Sequence, residues 1–205
     1  MLSLTSHDIL PILVGASFAA GLNVYATIAT LGLLARFHAF EIPPALHLLE
    51  SWPVIIIAVA LFALELFADK IPVFDLLWNA LHTFIRVPLA ALLAYGAAQQ
   101  LSPGAQIAAA LLGGLIALAS HSGKTAVRAV ISTSPEPFSN VALSFGEDVI
   151  AVALTWFATK HPMIAAAVVV VLLIMVVLAV RFVFRALKRL LQRARAALAG
   201  PERLT

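Results

Sequence analysis

Charged side chains lie inside apolar stretches of this chain, at spacings that group them on shared helix faces. Glu65 and Asp69 are four residues apart, as are Lys124 and Arg128, so each pair lies on one side of a helix. A charged residue within a membrane span costs about 3 kcal/mol and is normally paired or turned toward a water-filled cavity. These positions are therefore the first candidates for a functional site.

Further polar residues extend the candidate site. Asp75, His82 and Arg86 follow one polar stripe of an amphipathic stretch, and Glu147 and Asp148 are adjacent. Carboxylates and His82 or His121 are suited to carrying protons, whereas Lys124 and Arg128 are suited to binding an anion. The predicted substrate- or ion-binding residues are Asn23, Glu65, Asp69, Lys70, Asp75, His82, Arg86, His121, Lys124, Arg128, Glu147 and Asp148.

The same residues admit a structural interpretation. Four acids and four bases could pair within a helix bundle, where they hold helices together while long basic side chains reach toward lipid headgroups. Asn23 and the small residues of the first helix likewise suit close helix packing as well as ligand contact. Both interpretations stay open from the sequence.

Local signatures of catalysis and metal binding are absent from the sequence. The segment from Ser122 to Thr125 reads SGKT, but a phosphate-binding loop needs a glycine where Leu118 stands. HExxH and GxSxG do not occur, the six histidines are dispersed, and cysteine is absent. We predict no enzyme, no catalytic residues, no metal and no cofactor.

Composition places these residues in a membrane protein. Hydrophobic residues make up 62% of the 205 residues, charged residues make up 11%, and the mean hydropathy is +1.04. Soluble domains are about 45–50% apolar. The length accommodates about six spans of roughly 20 residues with short loops. The predicted fold class is all-α, a polytopic transmembrane helix bundle.

Proline, glycine and polar breaks divide the chain into predicted helices. These cover residues 9–37, 52–69, 72–100, 105–132 and 140–160, with a last helix from residue 163. The third is expected to be broken at Pro88, because the apolar piece after it is too short to cross alone. Three helices on each side of the turn at Ser102 suggest inverted repeats over residues 9–100 and 104–187, with coincidental similarity as the alternative.

Basic residues concentrate at the C-terminal end. Residues 181–205 contain seven bases and one acid, while residues 1–180 contain six bases and nine acids. We predict a membrane bundle over residues 1–187 and a basic cytoplasmic tail over residues 188–205 that attracts anionic phospholipids, with both termini cytoplasmic. Nucleic acid is not an expected partner. The small residues around Gly113 would permit a homo-oligomer.

The polar motifs resemble a family. The segments GLNVYATIATLGLLARF, ELFADKIP, DLLWNALHTFIRVP, HSGKTAVRAVISTSPEPFSN and SFGEDV are similar to the integral membrane family called domain of unknown function 4126. The resemblance covers about residues 9–160. It implies a small multi-spanning protein of the bacterial inner membrane, with relatives in plant plastids and no assigned activity. Asn23 stands near a position where the family pattern has an arginine.

The function predicted from these features is a small membrane transporter or channel-like protein. Its site would lie between the second, fourth and fifth helices and the broken third, and would accept an anionic solute or a proton or other ion. The alternative is a membrane scaffold that transports nothing, whose buried charges are structural and whose basic tail binds lipid or a partner.

Overall fold

The computed structural model describes residues 6–68, 72–131 and 137–198, and within these ranges the regular structure is entirely helical. A 3-10 helix over Pro44–Glu50 precedes α3. The α-helices are α1 (Ser6–Leu22), α2 (Val24–Arg36), α3 (Trp52–Ala68), α4 (Pro72–Ala97), α5 (Pro103–Ile131), α6 (Pro137–Lys160) and α7 (Pro162–Leu198). The predicted all-α class is confirmed.

Three of the described helices are long and apolar enough to cross a membrane, namely Pro103–Arg128, Val141–Lys160 and Pro162–Arg193. A fourth candidate is the pair Pro44–Glu50 and Trp52–Phe67, which is bent by 66°. These helices suggest a membrane protein. The predicted six spans and inverted repeats are not confirmed.

The single first helix predicted over residues 9–37 is wrong, because α1 and α2 form a hairpin that turns at Asn23. Ile12 of α1 belongs to one buried cluster with Ala35, Phe40 and Ile42, which lie at and beyond the end of α2. In a straight helix, residues 12 and 40 would be about 40 Å apart at 1.5 Å per residue. The chain therefore returns to the end of the bundle from which it started.

Asn23 supplies the physical reason for the turn. Its backbone is extended, with φ −151° and ψ 104°, and its side-chain oxygen accepts a hydrogen bond from the Ala26 N–H at 2.9 Å. Asparagine is among the preferred N-cap residues, because its side chain satisfies an N–H group that the first helical turn leaves without a partner. This capping residue lies inside an apolar run that is long enough for one membrane span, which is why the sequence analysis predicted a single helix.

The predicted break in the third span is also wrong. α4 is continuous from Pro72 to Ala97 with Pro88 inside it. A proline inside a helix removes one hydrogen bond, and the surrounding helices can compensate for that loss. Among the described residues, four α-helices consequently precede the turn at Ser102 and three follow it, so the expected three-plus-three order is not confirmed.

Small residues let α1 and α7 pack closely against α5. A Cβ atom added at Gly21 would lie 2.4 Å from the carbonyl oxygen of Ala117, so only glycine allows this approach. At Gly123 an added Cβ would lie 2.5 Å from Val176 on α7. Ser120 donates a hydrogen bond to the carbonyl of Phe18 at 2.8 Å. The hairpin is thus held inside the bundle beside α5.

The hairpin has two distinct ends. We call Leu22, Asn23 and Val24 the hairpin tip, and the cluster of Ile12, Ala35, Phe40 and Ile42 the hairpin base. Beside the base, the Lys160 ammonium at the end of α6 donates to the carbonyl of Ala39 at 2.8 Å. The helix break predicted at His161 and Pro162 is confirmed, since α6 ends at Lys160 and α7 begins at Pro162.

Candidate functional site

A group of buried charged residues surrounds the hairpin tip. Along α4, Arg86 lies 14 residues after Pro72 and 11 before Ala97. Along α6, Asp148 lies 11 residues after Pro137 and 12 before Lys160. The tip and its charged neighbours are therefore near the middle of these two helices. We call Glu65, Arg86, His121, Lys124, Arg128 and Glu147 the buried network.

Glu65 and Arg86 form a fully buried ion pair of the network. Both are fully buried, and Arg86 Nη2 donates to Glu65 Oε1. Arg86 Nη1 lies 2.9 Å from His121 Nδ1, and His121 Nε2 lies 2.8 Å from Thr83 Oγ1. Arginine has donors only, so Nδ1 of His121 accepts the hydrogen bond and Nε2 carries the ring proton.

Lys124 lies between two carboxylates and a helix end. Its Nζ is 3.6 Å from Glu65 Oε1 and 3.3 Å from Glu147 Oε2. It also donates to the Leu22 carbonyl at 3.3 Å. The final carbonyls of a helix carry partial negative charge and lack partners within the helix. The end of α1 therefore contributes a third negative group around this ammonium.

Arg128 completes the network on the side of α6. Its Nη2 donates to Glu147 Oε2 at 2.6 Å, the same oxygen that Lys124 approaches. A carboxylate oxygen can accept more than one hydrogen bond, and bonds between ionised partners are about twice as strong as neutral ones. Glu147 therefore links the two bases that the sequence analysis paired by their spacing.

Asn23 connects the hairpin tip to Asp148. The Asn23 amide nitrogen donates to Asp148 Oδ1 at 2.8 Å, while its amide oxygen caps α2. The start of a helix carries partial positive charge, so a carboxylate is favourable there. An asparagine suits both contacts because its amide offers a donor and an acceptor, whereas an ionised aspartate would have no donor.

A second polar pair lies beside the tip. Tyr25 Oη is 3.1 Å from His82 Nε2, and their rings meet edge to face with centroids 5.6 Å apart. His82 is buried, with 4% of its surface exposed. Because His82 and Arg86 are one turn apart on α4, this pair adjoins the network.

The described charges of the site balance. Arg86, Lys124 and Arg128 are positive, whereas Glu65, Glu147 and Asp148 are negative, and all six are buried. An uncompensated buried charge costs several kcal/mol, so a balanced set is the arrangement that burial favours. Any added proton or ion changes this balance by one unit.

Most of the predicted site residues lie together. Asp69 and Lys70 lie outside the described residues, and Asp75 belongs to the part of α4 whose side chains are not described. The predicted residues that the structure brings together around the tip are Asn23, Glu65, His82, Arg86, His121, Lys124, Arg128, Glu147 and Asp148.

Sequence reasoning missed three groups of the site. Tyr25 and Thr83 hydrogen-bond to the two histidines, and their signal was a polar side chain within an apolar helix. The Leu22 carbonyl had no signal, because a backbone group is freed only where the helix ends. Its contact with Lys124 depends on the turn at Asn23.

The chemistry available to this site is electrostatic. Among the described residues, no group of three or more His, Asp or Glu side chains is arranged to hold a metal ion. The SGKT segment lies inside α5, so its backbone N–H groups take part in the helix and do not form a loop that could cradle phosphate. In general, carboxylates and imidazoles bind and release protons, and lysine and arginine side chains bind anions.

Two open grooves approach the site from outside. One, of about 470 Å³, lies between α3 and α6, and Asp148 is the charged residue of its otherwise apolar and aromatic lining. The other, of about 450 Å³, lies between α4, α5 and α7 and includes Thr83 and His121. Asp148 and His121 therefore line grooves that open at the surface of the protein.

Comparisons with known proteins identify the family. A family model described as Domain of unknown function (DUF4126) matches residues 10–182, which confirms the resemblance seen in the polar motifs. No curated protein and no solved structure matches the chain. The family description assigns no activity, so function rests on the site.

Proposed function

The chain belongs to the DUF4126 family, and we propose that it is a proton-linked membrane transporter or channel-like protein for a small anionic solute. The observation that carries the proposal is the position of Lys124, whose Nζ lies 3.3 Å from Glu147 and 3.6 Å from Glu65 at the hairpin tip. Broken helices that end near the middle of a bundle are a common way to build ion and substrate sites in transporters.

Protonation links the two ligands of this site. While Glu65 and Glu147 are ionised, they occupy the positions around Lys124 that an anion would take. A proton on either carboxylate removes one of these competitors, and Lys124 then binds the solute with less opposition. Uptake of a proton and of an anion therefore favour each other, which is the reciprocity that any coupled binding obeys.

The hairpin also determines the proposed membrane topology. Because α1 and α2 return to the same end, we count them as no crossing. We count α4 as a crossing in addition to the four candidate spans, which gives five. Five crossings place the ends of the chain on opposite sides, so we propose that only the C-terminal end is cytoplasmic, in place of the two cytoplasmic termini expected from the sequence. The basic stretch of α7 is assigned to the cytoplasm by the positive-inside rule, and the hairpin base with Arg36 and Lys160 to the other side.

The topology has a direct test, because the chain contains no cysteine. Single cysteines at Ser6 and at Arg193 are labelled with a membrane-impermeant thiol reagent in right-side-out and inverted inner-membrane vesicles. We expect Ser6→Cys to react from the outside and Arg193→Cys from the cytoplasmic side. Labelling of both from one side would contradict the five-crossing arrangement.

The basic end of α7 supports the proposed lipid contact. Arg181, Arg185, Lys188 and Arg189 recur on one side of the helix, while Leu187, Leu190 and Leu191 are more than half exposed on another. Each basic residue near an anionic membrane surface contributes about 1 kcal/mol. We propose anionic phospholipids as the partner of this segment.

Binding and flux test the transport proposal. Purified protein is screened by thermal shift against chloride, nitrate, bicarbonate, inorganic phosphate and small carboxylates, because a ligand stabilises the state that it binds. Anions that raise the melting temperature are then measured for flux in proteoliposomes with and without a proton gradient. We expect Lys124→Ala to lose binding and flux, and Lys124→Arg to retain part of both.

Folding should survive the Lys124→Ala change. Without Lys124, Glu65 keeps Arg86 and Glu147 keeps Arg128, so neither carboxylate is left without a cation. Circular dichroism and a monodisperse gel-filtration peak serve as the controls. Full flux in folded Lys124→Ala would overturn the assignment of the site.

A membrane scaffold is the second candidate, and the close pairing of the buried network favours it. A scaffold predicts that Lys124→Ala lowers stability, that no anion shifts the melting temperature, and that removal of residues 186–205 abolishes association with anionic vesicles or a partner. The thermal-shift screen therefore separates the two candidates.

A further inference from the structure

One of the two grooves leads to a titratable member of the buried network. It lies between α4, α5 and α7, has a volume of about 450 Å³ and is open to the outside. His121 lines it although only 4% of the residue's surface is exposed. The remaining polar lining comes from Thr83, Ser122 and Thr125, and the wall from α7 consists of Val180, Val183 and Phe184.

The hydroxyl groups of this groove are suited to accepting hydrogen bonds. Ser122 donates to the carbonyl of Leu118 at 2.7 Å, and Thr125 donates to the carbonyl of His121 at 3.0 Å. Each hydroxyl hydrogen is thus used within α5, while oxygen lone pairs stay available. Water and hydronium match such a lining, because they donate hydrogen bonds, whereas an anion has none to donate.

His121 has one position for a further proton. Its Nε2–H donates to Thr83, and its Nδ1 accepts from Arg86. A second proton can bind only at Nδ1, where it replaces the hydrogen bond from Arg86. Arginine cannot release its own proton in a protein, so Arg86 does not pass the proton from His121 to Glu65. A proton on His121 can affect Glu65 only by displacing the guanidinium of Arg86.

We propose that the groove is the aqueous route by which protons reach the buried network from the surface of the protein, and that His121 takes them up. The inference rests on the proposed function and places the linked proton on His121 instead of on a carboxylate. Protonated His121 faces the cation of Arg86 at the present separation of 2.9 Å, so the arginine is displaced from Nδ1. The buried network together with Asp148 then has one surplus positive charge, which one monoanion beside Lys124 neutralises.

The other groups around His121 fit this role. Thr83 and Arg86 contact it from α4, and Arg86 is paired with Glu65 of α3. Lys124 follows it on α5, and α7 presents apolar side chains at the groove wall. A proton on His121 adds a positive charge beside Arg86, and a monoanion in the site offsets that charge. Proton and monoanion are therefore expected to bind together, as a pair without net charge.

Cysteine accessibility tests the groove itself. Ser122→Cys and Thr125→Cys are compared with Leu111→Cys and Leu115→Cys, which lie on the same helix, outside the groove lining, and are 64% and 63% exposed. We expect a charged thiol reagent to label the groove positions at least ten times faster, although the leucine positions are themselves well exposed. Equal or slower labelling in the groove would overturn the aqueous route, whether or not the protein transports anything.

Exchange of the histidine C2 proton with deuterium tests the uptake of protons at His121. Mass spectrometry of the purified protein resolves individual histidines, and buried His82 serves as the internal control. We expect His121 to exchange at least ten times faster than His82, with a sigmoidal dependence on pH. Exchange at His121 that is as slow as at His82 would overturn the assignment.

His121→Gln separates this inference from the proposed function. A glutamine amide accepts from Arg86 and donates to Thr83 but does not titrate. With chloride as the probe, the wild type should bind more tightly as pH falls, by up to tenfold per pH unit, while His121→Gln should bind with little pH dependence. An identical pH dependence in both proteins would overturn the role of His121. If the wild type binds no anion at any pH, that result would contradict the proposed function alone.

Discussion

The two ends of the α1–α2 hairpin are held in opposite ways. At the tip, Asn23 and the Leu22 carbonyl contact Asp148 and Lys124 through hydrogen bonds among buried charges. At the base, Ile12 packs with Ala35 and Phe40 beside an apolar cavity of about 40 Å³. Charged contacts change with one proton, whereas apolar packing does not. The base therefore suits an anchor, and the tip suits the part of the hairpin that responds to ligands.

Removal of a single buried charge beside the tip should have the largest effect on the free energy of unfolding. Arg86→Ala leaves Glu65 fully buried without its closest cation, and we expect a loss of about 3–5 kcal/mol in the free energy of unfolding. SDS titration in mixed micelles measures this loss.

The double variant Glu65→Leu with Arg86→Met is the matched control for that experiment. Replacing both members of a buried pair by apolar residues is often neutral, so most of the stability should return. A double variant as unstable as Arg86→Ala would mean that the lost contacts of His121 with Arg86 and of Lys124 with Glu65 account for the instability.

Loss of packing at the base should be the next largest effect. Ile12→Ala enlarges the apolar cavity and should lower the free energy of unfolding by about 2–3 kcal/mol. If the base is only an anchor, folded Ile12→Ala should bind chloride as the wild type does. The shift in melting temperature on adding chloride measures this binding. A binding defect equal to that of Lys124→Ala would show that the base also belongs to the responsive part.

Loss of the cap at the turn should be smaller. Asn23→Ala removes the contact with the Ala26 N–H and the donor to Asp148, and we expect a loss of about 1–2 kcal/mol in the free energy of unfolding. Asn23→Ser keeps a capping oxygen and should recover part of it. Asn23→Asp should be worse than alanine, because it places a second negative charge beside Asp148; equal stability of the two would argue against that contact.

A surface ion contact at the base should matter least. Lys160 is partly exposed and donates to the Ala39 carbonyl, so Lys160→Ala should change the free energy of unfolding by less than about 0.5 kcal/mol. The same SDS titration applies. A cost near that of Arg86→Ala would remove the difference between the two ends of the hairpin.

The sequence determined the class of the protein and most members of the site. Apolar runs of bilayer length dictate helices, because unpaired backbone groups are too costly in lipid. Charges within such runs are expensive unless paired, which is why Glu65, Lys124 and Glu147 could be selected without a structure. Spacing also placed Lys124 and Arg128 on one face, and both contact Glu147.

Only the tertiary structure decided which charge meets which, and where the chain turns. The local sequence around Asn23 is compatible with a helix cap and with one long helix. Contacts with Asp148, Lys124 and Ala117, far along the chain, favour the turn. Pro88 shows the converse, because a helix breaker in sequence stays inside α4 when neighbouring helices support it. Local patterns thus specify helices and buried charges, whereas the fold decides which partners make those charges stable.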